Sequence, residues 1–240
     1  LEPVDARQIV TLERIDLDRL FLESPTQFPI RNGKISLSLI DLWILSKLGA
    51  MVHEINQGFE SLDLSRVTTA IHSFFMYDLC DVYLEFSKLV LNSTQSAERD
   101  ASELLKMGAR QVLVTCLNVV LRVMHPLMPF ITEELWQRLA TDTDSILTHV
   151  YPRADDPVIR DWTRAPKIEQ AVSHLVEIVS AARSLRKSYS LKSDQLTRLI
   201  VRTDDPALVS VVQQYTHALQ KFCKLSHVII ETPTATRDES

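Results

Sequence analysis

The chain has 240 residues, 45% hydrophobic and 24% charged, with a formal net charge of −5, which suits an ordinary globular protein with one large domain or one domain plus a smaller one. That acidic balance argues against nonspecific nucleic-acid binding over a broad surface, so any RNA contact has to be local and shaped. Gly33, Gly49, Gly58 and Gly108 are the only glycines, against roughly 17 in an average chain of this length, and their scatter removes the clustered-glycine cradles of nucleotide-binding folds.

Residues 1 to 35 stay unassigned. Ile9, Leu12, Ile15 and Leu22 allow a helix, Ile15-Asp-Leu-Asp alternates like a strand, and Glu23 to Lys34, with Pro25, Pro29 and Gly33, reads as a loop. From residue 36 to 58 a helical stripe is formed by Leu37, Ile40, Ile44, Leu48, Met51 and Ile55. Asp63 is placed to cap a second helix with Val67, Ile71, Phe75, Leu79, Val82, Phe86 and Leu89 on one face. A third helix runs from about Ser96 to Met124 and is apolar nearly all round from Val112 onward, the pattern of a central helix.

Pro126 cannot continue that helix, and Pro129 suits the first turn of the next. Glu133 and Glu134 then lie near its positive end, and Leu135, Trp136 and Leu139 are expected to bury one face. Four antiparallel helices with short connections make a bundle. Residues 140 to 166 break into polar residues and prolines, a wrap or linker. Helical periodicity returns from Pro166 to Tyr189, followed by a strand at 196–203, a helix from about Pro206 to Phe222 and a strand at 225–231. The expected fold is therefore mainly α: an antiparallel helical bundle with wrap over 36–165, a small appended α/β unit over 166–231, and a disordered tail over 232–240.

Cys80, Cys116 and Cys223 are far apart in apolar surroundings and read as reduced core thiols of a cytosolic protein. No charged-then-apolar leader and no uninterrupted run of about 18 apolar residues is found, so a soluble, intracellular protein without a membrane anchor is expected. Seven histidines are present, none with ligand-spaced companions, which weighs against a zinc site.

Two strings carry a family resemblance, and a third supports it. His125-Pro-Leu-Met-Pro-Phe-Ile-Thr-Glu-Glu-Leu-Trp136 resembles a signature in the anticodon-binding domain of class I aminoacyl-tRNA synthetases for valine, isoleucine and leucine. Phe74-Phe-Met-Tyr-Asp-Leu-Cys-Asp-Val-Tyr-Leu-Glu-Phe-Ser-Lys88 is similar to the second bundle helix of eukaryotic-type valyl-tRNA synthetases, and Ala182-Arg-Ser-Leu-Arg-Lys-Ser-Tyr-Ser-Leu191 to the segment following the bundle there. Together they cover about residues 36 to 231 and favour the valine-specific family, with isoleucyl enzymes as the nearest alternative. The resemblance implies a tRNA partner, that for valine in particular, and a cytoplasmic parent enzyme that ligates valine to its tRNA with ATP and magnesium. The catalytic signatures HIGH and KMSKS do not occur, so no cofactor and no catalytic residue is expected in this chain, which is predicted inactive alone.

Candidate tRNA contacts are chosen by chemistry. Unpaired anticodon bases stack on aromatic or imidazole planes, and His72 and Phe74 lie off the predicted core stripe, whereas Phe75 lies on it. Arg183, Arg186 and Lys187 have no carboxylate among them; a helix end favouring cations through its dipole, or a solvated face, is the competing explanation. Asp81 and Glu85 share a helix face and are expected, with Pro126, Pro129 and Trp136, to be structural rather than an acid/base pair. A helical interaction scaffold with no RNA role is the reading from another class.

Overall fold

The computed structural model describes residues 30–32, 35–92, 99–139, 144–162, 165–192 and 194–232. Most of the unassigned first 35 residues and the expected tail after Thr232 lie outside these. The described residues form two compact units, divided between Ile168 and Glu169.

The first unit opens with a hairpin, β1 (Ile30–Asn32) paired antiparallel with β2 (Ile35–Leu37), Ile30 being opposite Leu37. This corrects the expected loop through Lys34 and the helix start at residue 36; strands of three residues are too short to reveal a period of two. Helix α1 begins at Leu39 and runs to Glu60. Its cap is reciprocal: Ser38 Oγ accepts from Asp41 N at 3.2 Å, and Asp41 Oδ2 accepts from Ser38 N at 2.8 Å and from Ser38 Oγ at 2.6 Å. Asp41 is also buried, and its second oxygen accepts from the Tyr83 hydroxyl at 2.7 Å.

Helix α2 (Leu64–His72) starts at Asp63, whose carboxylate accepts from Arg66 N at 3.0 Å as expected for a cap. It passes without a break into a π-helical segment, Ser73–Tyr83, and then into α3 (Leu84–Leu91). The wider turn shifts the buried face. The core side chains here are Ile71, Phe74, Leu79, Tyr83 and Phe86, spaced three, five, four and three apart, so the Phe75 and Val82 expected from a 3.6-residue period give way to Phe74 and Tyr83. Phe74 is 2% exposed and cannot present its ring to a base, which corrects its selection as a stacking residue.

Helix α4 (Arg99–Met124) crosses beneath β2 at Gly108, where a Cβ would lie 2.0 Å from Ser36 O; only glycine admits the strand. From Ala101 to Met124 it is long and apolar enough to pass for a membrane span, yet half of its most apolar stretch is buried within the protein, as in a core helix. It ends before Pro126, and Leu127 N and Met128 N both donate to Met124 O at 3.0 Å. Helix α5 then starts at Pro129 and ends at Leu139. Across the corner His125 Nδ1 lies 2.7 Å from Thr132 Oγ1. Trp136 is buried with Leu121 and Ile146, and Leu139 packs alongside, but Leu135 is 43% exposed and belongs to the outer face: it neighbours the buried Trp136 in sequence yet lies about 100° round the helix.

Residues 144–162 form the wrap, with a 3₁₀ turn at Ile146–Thr148 and helix α6 at Pro157–Trp162. Glu133 fastens it by accepting from Ser145 Oγ at 2.8 Å and Ile146 N at 3.1 Å. Asn56 of α1 does the same further on, donating to Pro152 O at 3.2 Å and accepting from Ala154 N at 2.8 Å. Each tie satisfies backbone groups that a loop would otherwise leave to water.

The second unit takes most of α7 (Pro166–Ser188), then β3 (Thr197–Arg202), α8 (Pro206–Gln214), α9 (Thr216–Cys223) and β4 (Leu225–Glu231). The two strands pair in parallel, Leu199 opposite Val228 and Val201 opposite Ile230, so α8 and α9 form the crossover that parallel pairing requires. Arg186 ties α7 to this sheet. Its guanidinium donates to Lys192 O at 2.8 Å, Thr197 Oγ1 at 3.2 Å and Lys224 O at 3.4 Å. Arg183 Nε donates to Phe222 O at 3.3 Å, with its guanidinium 5.8 Å from the Phe222 ring centroid.

Two outcomes test this fold. Arg186→Ala should lower unfolding free energy by about 1–2 kcal/mol in urea titration, below the full worth of charged hydrogen bonds because the side chain is partly exposed. The second outcome concerns pH. Burial pushes the Asp41 carboxyl up from its ordinary range, against the lowering effect of its hydrogen bonds. The folded state therefore binds a proton more readily than the unfolded chain, and stability falls as pH rises through the folded value. Protonated Asp41 can donate to Tyr83 Oη while the Tyr83 hydroxyl donates to Ala109 O, 3.1 Å away. The side-chain amide of asparagine would make the same contacts without a charge, so Asp41→Asn should remove the loss of stability on raising pH above the ordinary aspartate value. An unchanged pH–Tm profile in the variant would contradict it.

Candidate functional site

An exposed aromatic pair lies at the junction of α2 and the π segment. His72 and Tyr77 are both exposed, and their rings meet edge to face with centroids 5.6 Å apart and planes at 78°. Residues five apart lie on different faces of an α-helix, but a turn closed over five residues stacks them one above the other. The widened turn thus builds the pair. Met76 adds exposed apolar surface beside it, and Tyr77 is 59% exposed. The sequence points to His72 but not to Tyr77, since a 3.6-residue period sets the two apart.

The neighbouring carboxylates Asp81 and Glu85, expected to position the helix, differ from that expectation at Asp81, whose place on the outer face leaves it no group of the described residues to hold. Asp81 is exposed and without a hydrogen bond or ion pair among the described residues, while Glu85 pairs with Lys88 at 2.5 Å. Such an exposed pair contributes little. Burial and the Asp81 charge push the Cys80 thiol up, away from the thiolate form that reacts. Among the described residues no group of three or more His, Cys, Asp or Glu side chains is arranged to hold a metal.

An open cleft of about 380 Å³ lies on α1, lined by His53, Asn56, Gln57, Glu60, Arg153 and Asp155 among others. Its polar groups answer one another. Arg153 pairs with Asp155 at 2.9 Å, which lowers the Asp155 carboxyl, and Gln57 lies 2.8 Å from His53. Arg66 closes the next turn of the same helix by pairing with Glu54 at 2.7 Å and bonding Gln57, which holds the Glu54 carboxyl below its ordinary range.

The basic cluster of the second unit is brought together, but not for one task. Arg183 and Arg186 point to backbone carbonyls at the ends of α9 and of the turn after α7. Lys187 is exposed. Along the outer side of α5 and the corner before it lie Leu127, Met128, Phe130, Ile131 and Leu135, with Phe130 90% exposed. The segment with the strongest family resemblance therefore splits into a buried anchor, Trp136, and an uncovered apolar edge.

Residues 41–201 match the family model described as the anticodon-binding domain of tRNA ligase. The chain is 39% identical over 209 residues to the valine–tRNA ligases of Rattus norvegicus and Homo sapiens, in each case covering 85% of this chain and 15% of the relative. A valine–tRNA ligase of Fusobacterium nucleatum is 28% identical over 207 residues, covering 86% of this chain and 22% of the relative. The chain thus spans about a fifth or less of the length of these relatives, in a stretch that takes in both compact units. It belongs to the family of anticodon-binding domains of tRNA ligases.

Proposed function

We propose that this chain is the tRNA-anticodon recognition region of a valine–tRNA ligase, whose catalytic domain ligates valine to tRNA(Val) using ATP and magnesium. The observation that carries this reading is the 39% identity to valine–tRNA ligases across 209 residues. In this reading ATP and magnesium belong to the catalytic domain, and no catalytic step is assigned to these residues. The helical bundle of residues 36–165 reads the anticodon loop, and the small α/β unit over 166–231 belongs to the same tRNA-binding region. A cytoplasmic location goes with the reading; one relative, from Rattus norvegicus, is a mitochondrial valine–tRNA ligase at 39% identity over 202 residues.

His72 and Tyr77 are the stacking residues of this proposal. Unpaired bases gain about 1–3 kcal/mol each from such planes, and the gain depends little on salt because it involves no phosphate. Phe74, buried in the same segment, is a core residue and not a stacking one.

Filter binding of the 240-residue chain to transcribed valine, isoleucine and leucine tRNAs tests this. The valine tRNA should bind tightest, and His72→Ala and Tyr77→Ala should each cost it about 1–3 kcal/mol while leaving the salt slope unchanged. Preference for the isoleucine tRNA would move the assignment to that enzyme, and no binding to any of the three would leave a helical scaffold.

A further inference from the structure

Two stretches of the second unit, residues 178–193 and 206–230, contain no carboxylate, yet they carry Arg183, Arg186, Lys187, Lys192, Lys221 and Lys224 in a chain of net charge −5. The fold brings these stretches to one place. The Arg186 guanidinium bonds the backbone carbonyls of both Lys192 and Lys224, at 2.8 and 3.4 Å. Arg183 seats on Phe222, the neighbour of Lys221, and Lys187 follows Arg183 by one helical turn on the same edge of α7.

The cations divide by what they touch. The C-terminal ends of α7 and α9 each carry about half a negative charge, roughly one unit together. Arg183 and Arg186, in the last turns of α7 and bonded to carbonyls at the end of α9, more than offset that. Lys187, Lys192, Lys221 and Lys224 are all exposed, and none forms an ion pair among the described residues. Lys224 is moreover held in a left-handed conformation, φ 53° and ψ 57°, as the cap that ends α9, a position where a flexible, long-chain residue is not needed for structure.

We propose that Lys187, Lys192, Lys221 and Lys224 form a footprint for the sugar–phosphate backbone of tRNA, with Arg183 and Arg186 as internal struts that position the lysines and do not themselves bind RNA. The proposal rests on the tRNA reading above and revises the basic triad selected from sequence. Compact ammonium groups on flexible stems meet phosphates as point charges, and such contacts position RNA without reading its bases.

The test replaces all four lysines by glutamine in the 240-residue chain and measures filter binding to valine and noncognate tRNAs between low and moderate salt. Both tRNAs should lose affinity by the same factor, and the slope of log affinity against log salt should become shallower by about 0.7 to 0.9 for each phosphate no longer neutralised, up to about 3.6 if every lysine meets one. The Tm should not move. A variant with the four lysines replaced by arginine should keep the parent's slope, which separates charge from any effect on folding. Parent-like affinity and slope in the glutamine variant, or a loss confined to the valine tRNA, would overturn the footprint while leaving the anticodon reading in place. Failure of the parent chain to bind any tRNA would remove both.

Discussion

The carboxyl group of Asp41 is the point on which the first unit turns. Three chain segments converge on this one buried group: the end of the β hairpin through Ser38, the end of the π segment through Tyr83, and α4 through Ala109, whose carbonyl shares the Tyr83 hydroxyl. A buried acid is costly unless its lone pairs are met, and here each oxygen has a partner. Burial also pushes the Tyr83 phenol and the nearby Cys116 thiol upward, Asp41's charge adding to both, so these groups stay protonated and serve as donors or filler rather than reagents. Gly108, one residue before Ala109, lets the hairpin lie close enough for the network to close.

That anchoring accounts for the exposed aromatic pair as well. The π segment is held at its far end by Tyr83 and at its near end by buried Ile71 and Phe74, so the extra residues in its turns cannot be relaxed by sliding the helix. The widened turn projects Tyr77 over His72. A π segment in place of a regular helix is rare, and such segments recur where a helix serves a site. The second unit uses different chemistry: its guanidinium groups hold helix ends and turn carbonyls, leaving ammonium groups outside. Stacking planes on one unit and spare positive charge on the other match the two things a structured RNA offers, unpaired bases and phosphates.

Much of the architecture is legible in the sequence because it depends on local periodicity and punctuation. The Ile40, Ile44, Leu48 and Ile55 stripe, the cap at Asp63, the corner between Pro126 and Pro129 and the alternation of Thr197–Arg202 all appear where the residues predict them. The hairpin is hidden by its length, and Phe74 is misplaced because a period of 3.6 carries no sign of a π turn. Leu135 is expected inside because it follows the helical spacing of Trp136 and Leu139, but it lies at the edge of that stripe which the core does not cover. At the candidate sites the residue types are readable but their partners are not: Arg186 is committed to Thr197 and Lys224, 11 and 38 residues away, and only the fold says so. The family resemblance is readable from strings that include both buried Trp136 and exposed Phe130, which periodicity alone cannot separate by role.

If the His72–Tyr77 surface of the bundle holds the anticodon loop, chemical footprinting of tRNA(Val) bound to this chain is the most direct test. Protection should centre on the anticodon bases and disappear from those bases in a His72→Ala, Tyr77→Ala double variant that still binds the RNA backbone. Protection confined to the acceptor stem, or anticodon protection unaltered by the double variant, would contradict it.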